Sequence, residues 1–125
     1  MENGTKETLS AALVMERLAQ GEKLAEDTAA LFVKLLGTVA GNLALIHLPF
    51  GGVYLVGGVA RAITPYLERF GFEAAFSDKG RFAGFMRNFS IWVVEDDYAA
   101  LSGSLAYLEH AHASTKANSE GAQTV

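Results

Sequence analysis

The alternation of apolar and polar positions divides the chain into segments with helix or strand periods. Ala11, Val14, Met15 and Leu18 recur at i, i+3, i+4 and i+7. That spacing predicts a helix over residues 9–20 with one apolar face. Ser10 or Thr8 supplies an N-cap oxygen, and Gly21 a residue able to turn out of the helix. Residues 26–48 carry a second helical pattern, in which Asp27, Lys34, Thr38 and Asn42 form one narrow polar stripe on an otherwise apolar cylinder. At ~1.5 Å per residue such a helix reaches roughly 30 Å. Two short apolar runs, Val53–Val56 and Ile91–Val94, read as strands buried on both faces. Residues 60–70 between them return to a helical period through Ile63, Leu67 and Phe70. Pro65 is expected in the first turn of that helix, where its missing N–H breaks no bond. Residues 73–89 follow neither period, and Lys79-Gly80-Arg81 marks a turn among phenylalanines 76, 82, 85 and 89. After the second strand, Asp96 or Asp97 caps a last helix over residues 98–109, with Leu101, Leu105 and Leu108 inward.

The order helix, helix, strand, helix, strand, helix implies an α/β chain whose two strands form a parallel βαβ unit, right-handed by precedent. Two strands cannot shield both of their faces. The unit therefore reads as one side of a larger sheet, in a chain that pairs with another or is a piece of a longer protein. The long helix has a rival reading. Residues 29–48 have the length of a membrane span, and Gly37-x-x-x-Gly41 matches a helix-packing motif in lipid. Lys34 within the segment, with Asn42 and His47 nearer its end, favours a buried helix of a soluble α/β protein. In that setting Gly37 and Gly41 admit a sheet or helix at close range.

Composition narrows the picture. A chain of 125 residues, half of them apolar, is enough for one domain with a modest core. The net charge of −4 leaves no basic patch for a phosphate backbone, which argues against nucleic acid as a partner. Without cysteine, disulfides, thiolate metal sites and thiol nucleophiles are excluded together. The polar start at residues 1–8 has no basic-then-apolar signal pattern, and a cytoplasmic location is expected. Beyond residue 110 the chain turns small and polar, so 111–125 is expected to be a disordered tail. Residues 9–110 are the folded segment.

Candidate chemistry centres on Gly51-Gly52-Val53-Tyr54-Leu55-Val56-Gly57-Gly58-Val59. Glycines close a strand and feed a helix, which is where backbone without Cβ atoms lets a nucleotide approach. A plain turn explains the same pair. The remaining groups have structural readings beside functional ones. Asp96 and Asp97 end a strand, where carboxylates do chemistry in α/β folds, yet capping is their simpler role. His110 and His112 lack a third ligand for a metal. His47 reads as a hydrogen-bonded packing residue, Lys79 and Arg81 as parts of a solvated loop, and Trp92 and the phenylalanines as core. No nucleophile-plus-base constellation appears in the sequence.

Further blocks join the glycine motif in order: Gly41-Asn42-Leu43-Ala44-Leu45 before it, then Gly71-Phe72, Ala74-Ala75-Phe76, Asp78-Lys79-Gly80-Arg81-Phe82, and Leu101-Ser102-Gly103-Ser104-Leu105-Ala106-Tyr107-Leu108. Together, over residues 9–108, they resemble the C-terminal part of bacterial glucokinases, which share the two-lobed fold of hexokinase, actin and the heat-shock ATPases. The resemblance implies a partial ribonuclease H-like/actin-like ATPase lobe with long packed helices. It implies that the strand-Gly-Gly segment is the adenosine motif, with Gly57, Gly58 and Val59 at the adenine and ribose end of ATP and Asn42 at the nucleotide edge. The helix carrying Gly103 resembles the second connecting helix at the hinge between lobes. In that family the first phosphate loop, the catalytic Asp and the glucose-contacting residues lie earlier in the chain, and nothing here matches them. His47-Leu48-Pro49 departs from the flexible polar turn expected before the motif. The complete enzyme would use ATP and Mg²⁺ to phosphorylate the 6-hydroxyl of glucose, the first step of glycolysis. This chain alone is expected to bind no cofactor tightly, to be inactive, to bind glucose only as part of the complete enzyme, to form a homodimer, and to engage neither nucleic acid nor membrane. The competing reading is a non-catalytic remnant that binds nucleotide or self-associates and regulates.

Overall fold

A computed structural model of the chain describes residues 10–121. The expected lead at residues 1–8 lies outside them. The first helix, α1 (Ala11–Ala19), is capped by Ser10, whose hydroxyl accepts from the Leu13 N–H at 3.3 Å. Gly21 turns the chain out at φ +76°. The long helix, α2 (Lys23–His47), ends on Leu48 in the left-handed region at φ 49°. Strand β1 (Val53–Val56) leads through Gly57 into α3 (Gly58–Leu67) and then a short α4 (Phe72–Ser77). Two 3₁₀ turns, Gly80–Phe82 and Phe85–Asn88, precede strand β2 (Ile91–Val94), and α5 (Ala99–Gly121) completes the chain.

The expected α/β class and parallel pairing are observed. The strands β1 and β2 pair in parallel, with Val53 opposite Ile91 and Val56 opposite Val94. One sheet face, carrying Val53, Leu55 and Ile91, packs on a core of Val33, Ala44, Ile63, Phe76, Met86 and Phe89. The other face is open: Tyr54 is 58% and Trp92 56% exposed. The expectation of strands buried on both faces is thereby corrected, and Trp92 is no core residue. A two-stranded parallel sheet has helices for one face only, and the second layer is not supplied by the described residues.

The axis of the molecule is the contact between α2 and α4. A Cβ on Gly37 would come within 2.6 Å of the Phe72 carbonyl oxygen, and one on Gly41 closer still to that of Phe76. The Gly-x-x-x-Gly pair therefore lets two backbones touch, as expected for a close approach inside a folded protein. Lys79 lies over the same seam, its Nζ donating to the Thr38 carbonyl oxygen at 3.2 Å. It is half-buried there rather than part of a solvated loop. Arg69 closes the other end of α2 through an ion pair with Glu26 at 2.5 Å.

Further expectations are revised. Residues 73–89 are not irregular throughout, because Phe72, Ala75 and Phe76 bury one face of the short α4. Within this region Phe76 and Phe89 are buried, whereas Phe82 and Phe85 are exposed. Pro65 sits inside α3 rather than in its first turn. The helix starts at Gly58, and the turn before Pro65 loses one bond to its missing N–H. Leu101, Leu105 and Leu108 are exposed, not inward, since α5 has no extensive packing against another element among the described residues. His47 is exposed in the last turn of α2 rather than packed. Residues 111–121, expected as disordered tail, continue α5, while 122–125 lie outside the described residues.

Candidate functional site

The site is built where β1 ends. Gly57 holds φ +114° and ψ 168°, a conformation that side chains disfavour, and so swings the chain out of the strand and into α3. Gly58 opens α3 without a positive φ. A Cβ added at either residue would meet nothing within 4 Å, so the backbone here is open to a ligand. No side chain caps this end of α3. The N–H groups of its first turn therefore face outward with the positive end of the helix dipole behind them.

Beside this turn lies an apolar concavity of about 760 Å³, bounded by Met15 of α1, Thr28 and Phe32 of α2, and Gly58, Val59 and Ile63 of α3. Its aromatic and aliphatic walls suit a flat heteroaromatic ring, and the first turn of α3 at its edge suits an anion. The contributions of Met15 and Phe32 were missed by sequence reasoning. The signal for Met15 was its place on the apolar stripe of the first helix, which was assigned to packing.

Gly58 and Val59 are thus brought to one concavity, whereas Gly57, the residue before them, does not line it. Asn42 is not. It is exposed on α2, ten residues beyond Phe32, or roughly 15 Å along the helix axis.

The two aspartates after β2 divide the roles that sequence could not separate. Asp96 braces the entry to α5, its Oδ1 accepting from the Tyr98 N–H at 2.8 Å. Asp97 instead pairs with Arg61 of α3, Oδ1 to Nη1 at 2.6 Å. The same nitrogen donates to the Glu95 carbonyl oxygen at 3.1 Å. The hydrogen bond to Asp97, then its charge, and more weakly the charge of Glu95, raise the Arg61 guanidinium above its ordinary value against a small desolvation effect. Arg61 was not singled out from sequence. Its partner lies far along the chain, and no local pattern joins them.

Comparison with known proteins decides the family. The glucokinase family model matches residues 1–111. The chain belongs to the glucokinase family. It is 40% identical over 100 residues to a glucokinase of Mesorhizobium japonicum, covering 80% of this chain and 29% of that relative. It is 39% identical over 107 residues to a glucokinase of Rhizobium meliloti, covering 84% and 32%. With a glucokinase of Agrobacterium fabrum the identity is 47% over 83 residues, covering 66% and 24%. The chain thus spans about a quarter to a third of the length of the curated relatives it matches. Residues 9–108, where the resemblance was read, fall within the matched family segment.

Proposed function

We propose that this chain is the C-terminal, adenosine-binding part of a glucokinase-family sugar kinase, within a ribonuclease H-like/actin-like ATPase lobe. The observation that carries the reading is the open Gly57–Gly58 turn beside an apolar concavity, in a chain of the glucokinase family. Gly58 and Val59 would hold the ribose and adenine end of ATP, with Phe32 and Met15 against the base. The N–H groups of the same turn would favour the anionic side of the bound nucleotide. Asn42 falls outside this pocket.

ATP with Mg²⁺ supplies the phosphoryl group and its charge neutralisation in the complete enzyme. This chain's residues bind and orient the nucleoside. The base that takes the sugar's hydroxyl proton and the glucose contacts belong, on this reading, to the other part of the protein. The complete protein then phosphorylates glucose at its 6-hydroxyl in the cytoplasm. The isolated chain does not.

The test is a chimera in which residues 9–110 replace the matching segment of a glucokinase from a matched relative. The reading expects ATP- and glucose-dependent formation of glucose 6-phosphate by the chimera and none by the 125-residue chain. Glucose phosphorylation by the chain alone, or a folded chimera without activity, would overturn it.

A second role is favoured by one observation, the open sheet face carrying Tyr54, Val56 and Trp92. In the isolated chain that face would be covered by a second copy, giving a homodimer. A monomer at all concentrations by light scattering would remove this role. A membrane partner is not part of the reading. Although α2 is long and apolar enough to cross a membrane, Lys34 stands midway along it and Gly37 and Gly41 are packed on α4.

A further inference from the structure

Arg61 ties together two parts of the molecule that the core leaves apart. It stands one turn into α3, close behind Gly58, and its Nη1 lies 2.6 Å from Asp97 Oδ1 and 3.1 Å from the Glu95 carbonyl oxygen. Both acceptors belong to the loop between β2 and α5. That loop is braced internally by Asp96, through the Tyr98 N–H at 2.8 Å and the Ala99 N–H at 3.3 Å. Beyond it, α5 is a lever roughly 35 Å long. Its side chains as far as 116 are exposed, apart from the half-buried Ala99 and Ala111, and among the described residues it has no extensive packing against another element. The only long-range side-chain bonds on the loop that launches this lever, among the described residues, are those of Arg61.

We propose that Arg61 is a positioning residue, a polar latch that fixes the direction of α5 relative to the Gly57–Gly58 turn. The inference rests on the proposed function only in naming that turn the nucleotide end. Arg61 and Asp97 are both substantially exposed, and an exposed pair of this kind adds little to stability. Its effect is geometric. A latch of small energy between the nucleotide-facing helix and the loop that launches α5 opens and closes without disturbing the core. A single nitrogen makes both bonds, so a lysine ammonium at this position has the donors to replace it.

The absence of cysteine lets paired spin labels be placed without background. One pair, Lys34→Cys with Glu109→Cys, spans α2 and α5. A control pair, Lys34→Cys with Glu68→Cys, reports the core. Distances are measured in the full chain without nucleotide. The latch predicts a dominant narrow distance peak for the α5 pair at low salt, above a broad minor component from the open state. It predicts loss of that peak in Arg61→Ala and in Asp97→Ala, and its retention in Arg61→Lys. It also predicts loss in ~1 M salt, where the screening length is about 3 Å. The control pair stays narrow in every case. An α5 peak that is broad in the wild type, or unchanged in either alanine variant, overturns the proposal. So does broadening of the control pair together with the α5 pair, which makes Arg61 merely structural. Nucleotide takes no part in this measurement, so its failure leaves the adenosine-site reading standing, and failure of that reading leaves the latch.

Discussion

Gly57 and Gly58 are neighbours with different duties. Gly57 is needed by the backbone, because φ +114° strains any residue with a Cβ. Gly58 is needed, on the proposed reading, only by the ligand, since its φ is ordinary and a Cβ there meets open space. The two residues should therefore respond oppositely to substitution. Gly57→Ala is expected to cost about 1–3 kcal/mol in urea unfolding, the usual scale for a residue held in a sparsely populated conformation. Gly58→Val should leave the unfolding midpoint nearly unchanged while blocking nucleotide. The glycine pair was legible in sequence because two breakers after an apolar run stand out. Which glycine carries the strain was not legible, since φ is set by how α3 leaves the sheet. The Arg61–Asp97 pair was hidden for a related reason: 36 residues separate its members, and only the crossover from α3 to β2 brings them together.

At the scale of elements, the glycines of α2 matter as a pair. With backbone carbonyls facing both positions, no flexible side chain can move aside to admit a methyl group. Gly37→Ala is expected to lower stability by about 1–3 kcal/mol, the scale of overpacking a filled contact, despite alanine's better helix propensity. Gly84→Ala is the control, because neither a positive φ nor any neighbour within 4 Å opposes it, and it should be neutral or slightly stabilising. Urea unfolding of both variants checks the contrast. Periodicity revealed α1, α2, α3 and both strands, since each repeats its pattern for a full turn or pleat. It missed α4, whose buried Phe72, Ala75 and Phe76 span less than two turns and look like scattered aromatics. It placed Leu101, Leu105 and Leu108 on the correct helix but inside a core that these residues do not build.

At the scale of the whole molecule, the apolar surface is distributed as if a layer were absent. The outer stripe of α2, with Leu31, Leu35, Val39 and Leu43, is exposed opposite the face packed on α4. The sheet shows Tyr54, Val56 and Trp92 on its open side, and α5 shows its leucines. Patches of this kind mark interaction surfaces. Relatives of which this chain matches only about a quarter to a third supply the natural candidate for what covers them. The chain alone is expected to elute as a dimer and to bind an apolar fluorescent dye, and tethering the remaining part of a glucokinase should reduce the dye signal. An unchanged signal in a folded chimera would mean that these faces serve another partner. The incomplete sheet was legible from sequence because two strands cannot shield themselves. Which face stays open depends on the side taken by α3, and a two-residue period in four-residue strands does not reveal that.

The central claim is that these 125 residues carry an adenosine half-site, and titration calorimetry of ATP–Mg²⁺ into the folded chain tests it most directly. The account predicts weak binding near millimolar strength, about −4 kcal/mol, that is lost in Gly58→Val and unaffected by glucose. Absence of binding to a folded chain, or equal affinity in Gly58→Val, would contradict it.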